Sequence, residues 1–277
     1  DIKYAVKEIS RRMAKPRVRD VEMIRRLARY LTKYPRMAQV YKKQKKMSKM
    51  EVWTDSDWAG CPETRKSTSG GMIMIGDHVI KGWSTTQSVI ALSSGEAEFY
   101  AIVKAGSQGL GFKAMADDLG VPLGIMIKTD ANAAKAIAMR RGVGQVRHIE
   151  VNQLWIQDRV RRGEIDIEKV GGKINIADAL TKYCDRESID THLKGSGMKI
   201  KEGRHEQAPQ VEDDNIQQDE MMGSNPSLES ANKDIYEPDE GLNNIEIYHI
   251  AVPYKAVTPG LKTVKKKTQF RGSTIST

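Results

Sequence analysis

Four acidic residues, Asp55, Glu98, Asp130 and Asp178, are spread along this 277-residue sequence in positions that could bring their carboxylates to one point. Metal-assisted phosphodiester hydrolysis needs such a convergence. Mg²⁺ is a hard cation that takes oxygen ligands, binding through a few carboxylates together with substrate phosphate. Two such ions stabilise the attacking and leaving oxygens of an in-line displacement. For each acid the question is whether a soluble fold would place it there anyway.

Asp55 lies inside the strand-like run EVWTDSDW, where Asp is disfavoured. Asp57 is two residues on and shares its face, so alternation alone does not choose between them. A turn at the strand end is the structural alternative for both. On the long helix expected from about Ser94 to Leu119, Glu98 shares a face with Ala101, Ile102 and Ala105. A carboxylate on an apolar face needs a reason, although a boundary position would supply one. Glu96 has a structural role open to it, because Ser93-x-x-Glu96 reads as a capping box. Capping is therefore assigned to Glu96 and chemistry to Glu98. Asp130 ends the strand-like GIMIKTD, where ligand sites of open α/β sheets gather; it could equally cap the helix that follows. Asp178, three residues after Asn175, could simply favour a helix N-terminus.

The elements that must position these acids follow from periodicity. Residues 2–14 and 20–33 have helical spacing, with Ile2, Ala5, Val6 and Ile9 on one face of the first and Val21, Ile24, Leu27 and Leu31 on one face of the second. Asp20 is a plausible N-cap, and Pro16 and Pro35 close the two helices. From Val52 the pattern turns to strands, with GMIMIG and HVIKGWS joined at Gly76-Asp77 as in a hairpin. The long helix, a strand (GIMIKTD), a helix (ANAAKAIAMRR), a helix near 147–162, a strand at 164–170 and a short helix from Asn175 complete the order β-β-β-α-β-α-α-β-α. That order predicts a mixed α/β layer in which crossovers extend a three-stranded meander.

In this order the segments TDSDWAG, RKSTSGG, IKGWSTTQSVIALSSGEAEFYA, TDANAAKAIA, RHIEVNQLWIQD and KINIADALTK resemble the motifs of the ribonuclease H domain in copia-type retrotransposon Pol polyproteins. The likeness covers roughly residues 50–198, and residues 1–48 are similar to the end of the upstream reverse transcriptase region. It implies a ribonuclease H-like mixed sheet flanked by helices. It also implies a metal centre of Asp55, Glu98, Asp130 and Asp178 holding two Mg²⁺ ions, with Mn²⁺ a possible substitute. The activity implied is endonucleolytic cleavage of the RNA strand of RNA–DNA hybrids, with the hybrid and the reverse transcriptase portion of the same polyprotein as partners. The alternative is an inert remnant that only binds nucleic acid. Gly95 stands where the family commonly has Thr or another polar residue, and Gly106, Gly109 and Gly111 lie inside the long helix, each costing up to ~1 kcal/mol against Ala. His148 is read as structural or substrate-contacting rather than as a proton shuttle. Ser67, Thr68 and Ser69 are read as a polar turn, and Trp58 and Trp83 as core.

Composition bounds these expectations. Residues 1–50 carry 17 Lys/Arg against 4 Asp/Glu, or +13, and the whole chain is +9, which leaves −4 for the rest. A basic first segment suggests a polyanionic partner. Cys61 and Cys184 have no metal-ligand spacing, which suggests a reducing, intracellular setting; the resemblance implies the cytoplasm, in retrotransposon particles, with the nucleus as a second compartment. No apolar run approaches the ~20 residues of a membrane span. An Asp at position 1 is expected of a fragment, a processed product or a piece of a polyprotein. Between His205 and Ile250 there are 12 acidic residues and one Lys. Residues 199–277 are therefore expected to be a disordered tail, acidic and then basic.

Overall fold

A computed structural model of the chain describes residues 1–142, 144, 148–149 and 151–203. The expected tail lies almost wholly outside the described residues. Seven strands and six α-helices are described. They are α1 (Lys3–Ser10), α2 (Val18–Lys33), β1 (Met37–Gln39), β2 (Lys49–Ser56), β3 (Thr68–Ile75), β4 (His78–Thr86), α3 (Ser94–Asp118), β5 (Gly124–Thr129), α4 (Asn132–Met139), α5 (Trp155–Arg161), β6 (Ile165–Lys169), α6 (Arg186–Gly195) and β7 (Met198–Ile200).

The main sheet has the order β4-β3-β2-β5-β6. β4, β3 and β2 form an antiparallel meander. β5 and β6 then add in parallel, each reached by a helical crossover. This is the ribonuclease H-like mixed sheet that the sequence predicts. The β3–β4 hairpin turns at Gly76, whose φ of +59° suits a residue without a Cβ.

Each face of the sheet has its own core. On one face Val52, Ile73, Ile125 and Ile127 pack against Phe99 and Ile102 of α3 and Ile156 of α5. Alternation sends Met72 and Met74 to the other face, where Ile176 and Leu180 cover them and Trp53 and Val79 pack alongside. The segment after β6 thus crosses beneath the sheet and carries Asp178 with it. Within α3, Gly106 and Gly109 are contact points rather than weak ones. A Cβ on Gly106 would come within 2.4 Å of Ile156, and one on Gly109 within 3.1 Å of Ile125. Gly95 likewise lets α4 approach, since a Cβ there would meet Ala133 at 2.9 Å.

Several local expectations are corrected. α2 begins two residues early, at Val18, because Asp20 is its third residue: the Asp20 carboxylate accepts from the Arg17 N–H at 2.9 Å instead of capping by itself. Val21 and Ile24 are exposed, leaving Leu27 and Leu31 half-buried. The helix expected near 147–162 is a 3₁₀ turn at Val151–Leu154 followed by α5. The helix expected from Asn175 shrinks to a 3₁₀ turn at Asp178–Leu180. α6, β1 and β7 were not expected. Trp58 is 56% exposed and donates to the Ala91 carbonyl, so only Trp83 is core. Ser67, Thr68 and Ser69 are buried at the start of β3 rather than in an exposed turn.

The basic first segment packs onto this frame. α1 lies against β4 and the Asp178–Leu180 turn. Lys7 donates to the Thr68 hydroxyl at 2.7 Å, and Tyr4 meets Tyr183 edge-on with ring centres 5.2 Å apart. β1 pairs antiparallel with β7, Ala38 opposite Lys199.

Candidate metal centre

Strand register brings the first two acids together. β2 and β5 run parallel with Trp53 opposite Lys128. Two residues further on, the same register sets Asp55 beside Asp130, at the carboxyl ends of neighbouring strands roughly 4.8 Å apart. Glu98 comes from the first turns of α3, which packs on both strands. One carboxylate oxygen from each of Asp55, Glu98 and Asp130 lies within 4.8 Å of the other two. Asp178 is adjacent but outside this trio. Its Oδ2 is 3.0 Å from the Lys182 ammonium, which is itself 3.9 Å from Asp55 Oδ2.

Neighbouring groups fix the orientation of each acid. The Ser56 N–H donates to Glu98 Oε1 at 3.2 Å, and the Thr181 hydroxyl donates to Asp55 Oδ2. Gln87 donates to the hydroxyls of Ser56 and Ser69 and to the Ala97 carbonyl, tying β2, β3 and α3 together behind the acids. Asp57, which alternation could not separate from Asp55, accepts from the Thr68 N–H and closes the start of β3. Of the two, Asp55 is the one that joins the acidic trio. Asp130 does not cap α4: Ala131 holds that position, with no side-chain cap.

The electrostatics of the trio are compatible with a bound cation. Burial first, and then the charges of Asp178 and Asp130, push the Asp55 carboxyl up. Burial, and then Asp55 and Asp130, push Glu98 up further. Glu98 Oε2 and Asp178 Oδ1 are buried with no hydrogen-bond partner among the described residues. A buried carboxylate oxygen without a donor is costly. Hard, multiply charged ions are what such oxygens accept, so the donor set is compatible with a divalent cation.

Glu96 is separate from this group. Its N–H donates to Ser93 Oγ at 3.2 Å, as a capping box requires. Its carboxylate, however, reaches the Leu92 N–H at 2.8 Å rather than that of Ser93. It also accepts from the Tyr100 hydroxyl at 2.7 Å and pairs with His148 Nε2 at 2.6 Å. His148 is thereby a tether between the loop before α5 and the start of α3. Lys182 was missed by the sequence reading. Its signal was the spacing Asp178-x-x-x-Lys182, which favours ion pairing on a helical turn.

A meander extended by two parallel strands, with acids at the ends of its central pair, defines a ribonuclease H-like fold around a candidate metal centre. No family model matches the chain. It is similar to the retrovirus-related Pol polyprotein from transposon RE1 of Arabidopsis thaliana, 26% identical over 72% of this chain. It is also similar to the corresponding polyprotein from transposon TNT 1-94 of Nicotiana tabacum, 27% identical over 72% of this chain. The resemblance to copia-type Pol polyproteins is thus borne out. The chain spans only 14% and 15% of the lengths of these relatives. Among solved structures, LC11-RNase H1, isolated from compost by a metagenomic approach, is 17% identical. The match covers 53% of this chain and 99% of that one, with a TM-score of 0.35.

Proposed function

We propose that residues 50–198 form a ribonuclease H domain that cuts the RNA strand of RNA–DNA hybrids, with Asp55, Glu98, Asp130 and Asp178 holding two divalent ions. The observation that carries this reading is the trio of carboxylates from three separate elements, converging within 4.8 Å of one another, with Glu98 Oε2 buried and without a hydrogen-bond partner among the described residues. When bound, the ions would lower the pKa of an attacking water and neutralise the departing 3′ oxygen. The chain's own residues do the positioning. Ser56 and Thr181 hold Glu98 and Asp55 in place, and the paired strands fix the spacing of Asp55 and Asp130.

The substrate would be read by its A-like shape and 2′-hydroxyls rather than by base sequence. Part of the basic first segment is already engaged: Arg11 with Cys61, and Arg12 and Arg17 with Glu63. Arg19, Arg26, Arg29 and the lysines from Lys42 to Lys46 remain exposed for phosphate contacts. Upstream reverse transcriptase, in the same polyprotein, would supply the hybrid. The test is to incubate the purified chain with a labelled hybrid and Mg²⁺, with and without EDTA. Shortened RNA with Mg²⁺ alone is the expected result. Binding without products would instead favour the inert remnant.

A further inference from the structure

The carboxylates concentrate negative charge in two places, and an ammonium of the protein stands in one of them. The first lies among Asp55, Glu98 and Asp130, where Glu98 Oε2 has no hydrogen-bond partner among the described residues. The second lies between Asp55 and Asp178, and the Lys182 ammonium sits there, 3.0 Å from Asp178 Oδ2 and 3.9 Å from Asp55 Oδ2. We infer that Lys182 is a resident cation that keeps a second divalent ion out from between Asp55 and Asp178 until a substrate phosphate draws it away. This rests on the metal-centre reading above.

The geometry supplies both halves of such an exchange. The ammonium is a compact charge on a flexible four-carbon stem. The Lys182 side chain is 49% exposed, so it can leave by rotation without moving the fold. Thr181, by contrast, is buried, and its hydroxyl holds Asp55 in place whether Lys182 is in or out. A unit positive charge some 4 Å from an incoming dication opposes it, at an effective dielectric near 20 and before ionic screening, by several orders of magnitude in affinity. An arriving phosphodiester changes the balance twice. It adds oxygen ligands for a second ion, and it offers Lys182 an anion of its own. The second ion then binds mainly when there is RNA to cut, which guards against ions held without substrate.

The experiment counts ions instead of products. Mn²⁺ is titrated into the purified full chain without nucleic acid, and free Mn²⁺ is followed by its electron paramagnetic resonance signal. One bound ion per wild-type chain is expected. Lys182→Met, which keeps the length and removes the charge, should bind a second, tightened by ~10-fold or more over wild type. Lys182→Arg should stay at one. Two ions in the substrate-free wild type, or one ion at unchanged affinity in a folded Lys182→Met chain, would overturn the inference while leaving a metal centre in place. No bound ion in any chain would overturn the metal-centre reading itself. Should Lys182→Met not fold, the wild type decides alone. With a hybrid whose RNA strand is replaced by 2′-deoxynucleotides at the cleavage positions, its count should rise from one to two, and a count fixed at one sinks the idea.

Discussion

At the scale of single residues, neighbouring acids have opposite effects on stability. Asp55 is held at a raised pKa, so without metal the folded state prefers it protonated, and its charge opposes folding as pH rises above the ordinary carboxylate range. Asp55→Asn supplies a permanently neutral side chain that still accepts from Thr181. It should abolish cleavage, leave hybrid binding in place, and raise the melting temperature of the metal-free chain at pH 8. A metal-free variant that melts lower than wild type would contradict this. Glu96 behaves in reverse, because its removal takes away the acceptor for the Leu92 N–H and for the buried end of Tyr100. Glu96→Ala should cost roughly 2–4 kcal/mol in denaturant unfolding, more than the loss of a cap alone. Stability unchanged with activity lost would mean that Glu96, and not Glu98, does chemistry. Residue types and spacing were enough to tell the capping Glu96 from Glu98, which joins the acidic trio. Nothing local marked Ser56 or Thr181, whose roles arise from a backbone N–H and from a hydroxyl brought across 126 positions.

At the scale of elements, strongly periodic segments were legible in the sequence, and those defined by partners were not. β2, β3 and β4 and the long α3 follow from strand-like apolar runs, a Gly-Asp turn and a Ser cap, all encoded within a few residues. β1 and β7 are three residues each, and their pairing joins positions 37 and 200, so no window of sequence contains the signal. α6 did carry one, since Asp185 caps it by accepting from the Ser188 N–H at 2.9 Å. The glycines of α3 show how context reverses a propensity. Gly111 has no atom within 4 Å of a would-be Cβ, so Gly111→Ala should stabilise the chain by up to ~1 kcal/mol. Gly106→Ala, pressed against Ile156, should destabilise it by roughly 1–3 kcal/mol through overpacking. Both follow from urea unfolding, and equal effects of the two substitutions would refute the distinction.

At the scale of the whole molecule, the underside of the sheet depends on a buried histidine. His192 of α6 is 1% exposed and hydrogen-bonds through Nδ1 to the Ile176 carbonyl at 2.7 Å. Burial lowers its pKa to about 4. The unfolded chain binds a proton there near pH 6.5, well before the folded one does. Stability from this group is therefore full above about pH 6.5 and is lost as pH falls towards 4, by roughly 3 kcal/mol in all. His192→Asn should be less stable at pH 7 yet lose less between pH 6.5 and 4.5, as read from chemical denaturation. An equally steep acid limb in the variant would place the pH sensitivity elsewhere. The pairing of β1 with β7 has a consequence in time as well as in space. It clasps position 37 to position 200, enclosing all of the main sheet between them. A chain made from its N-terminus can set α1 and α2 early, but the clasp must wait until the ribosome has released Ile200. Leu180, which covers Met72 and Met74 on the underside of the sheet, is itself made only 20 residues before Ile200, so that face too stays open until late in synthesis. Synthesis thus passes through an interval in which the meander exists but the molecule cannot close, the stage at which unpaired edges invite wrong partners. The last carboxylate to emerge, Asp178, comes only 22 residues before that closure, so the candidate centre is completed near the end of folding rather than at its start.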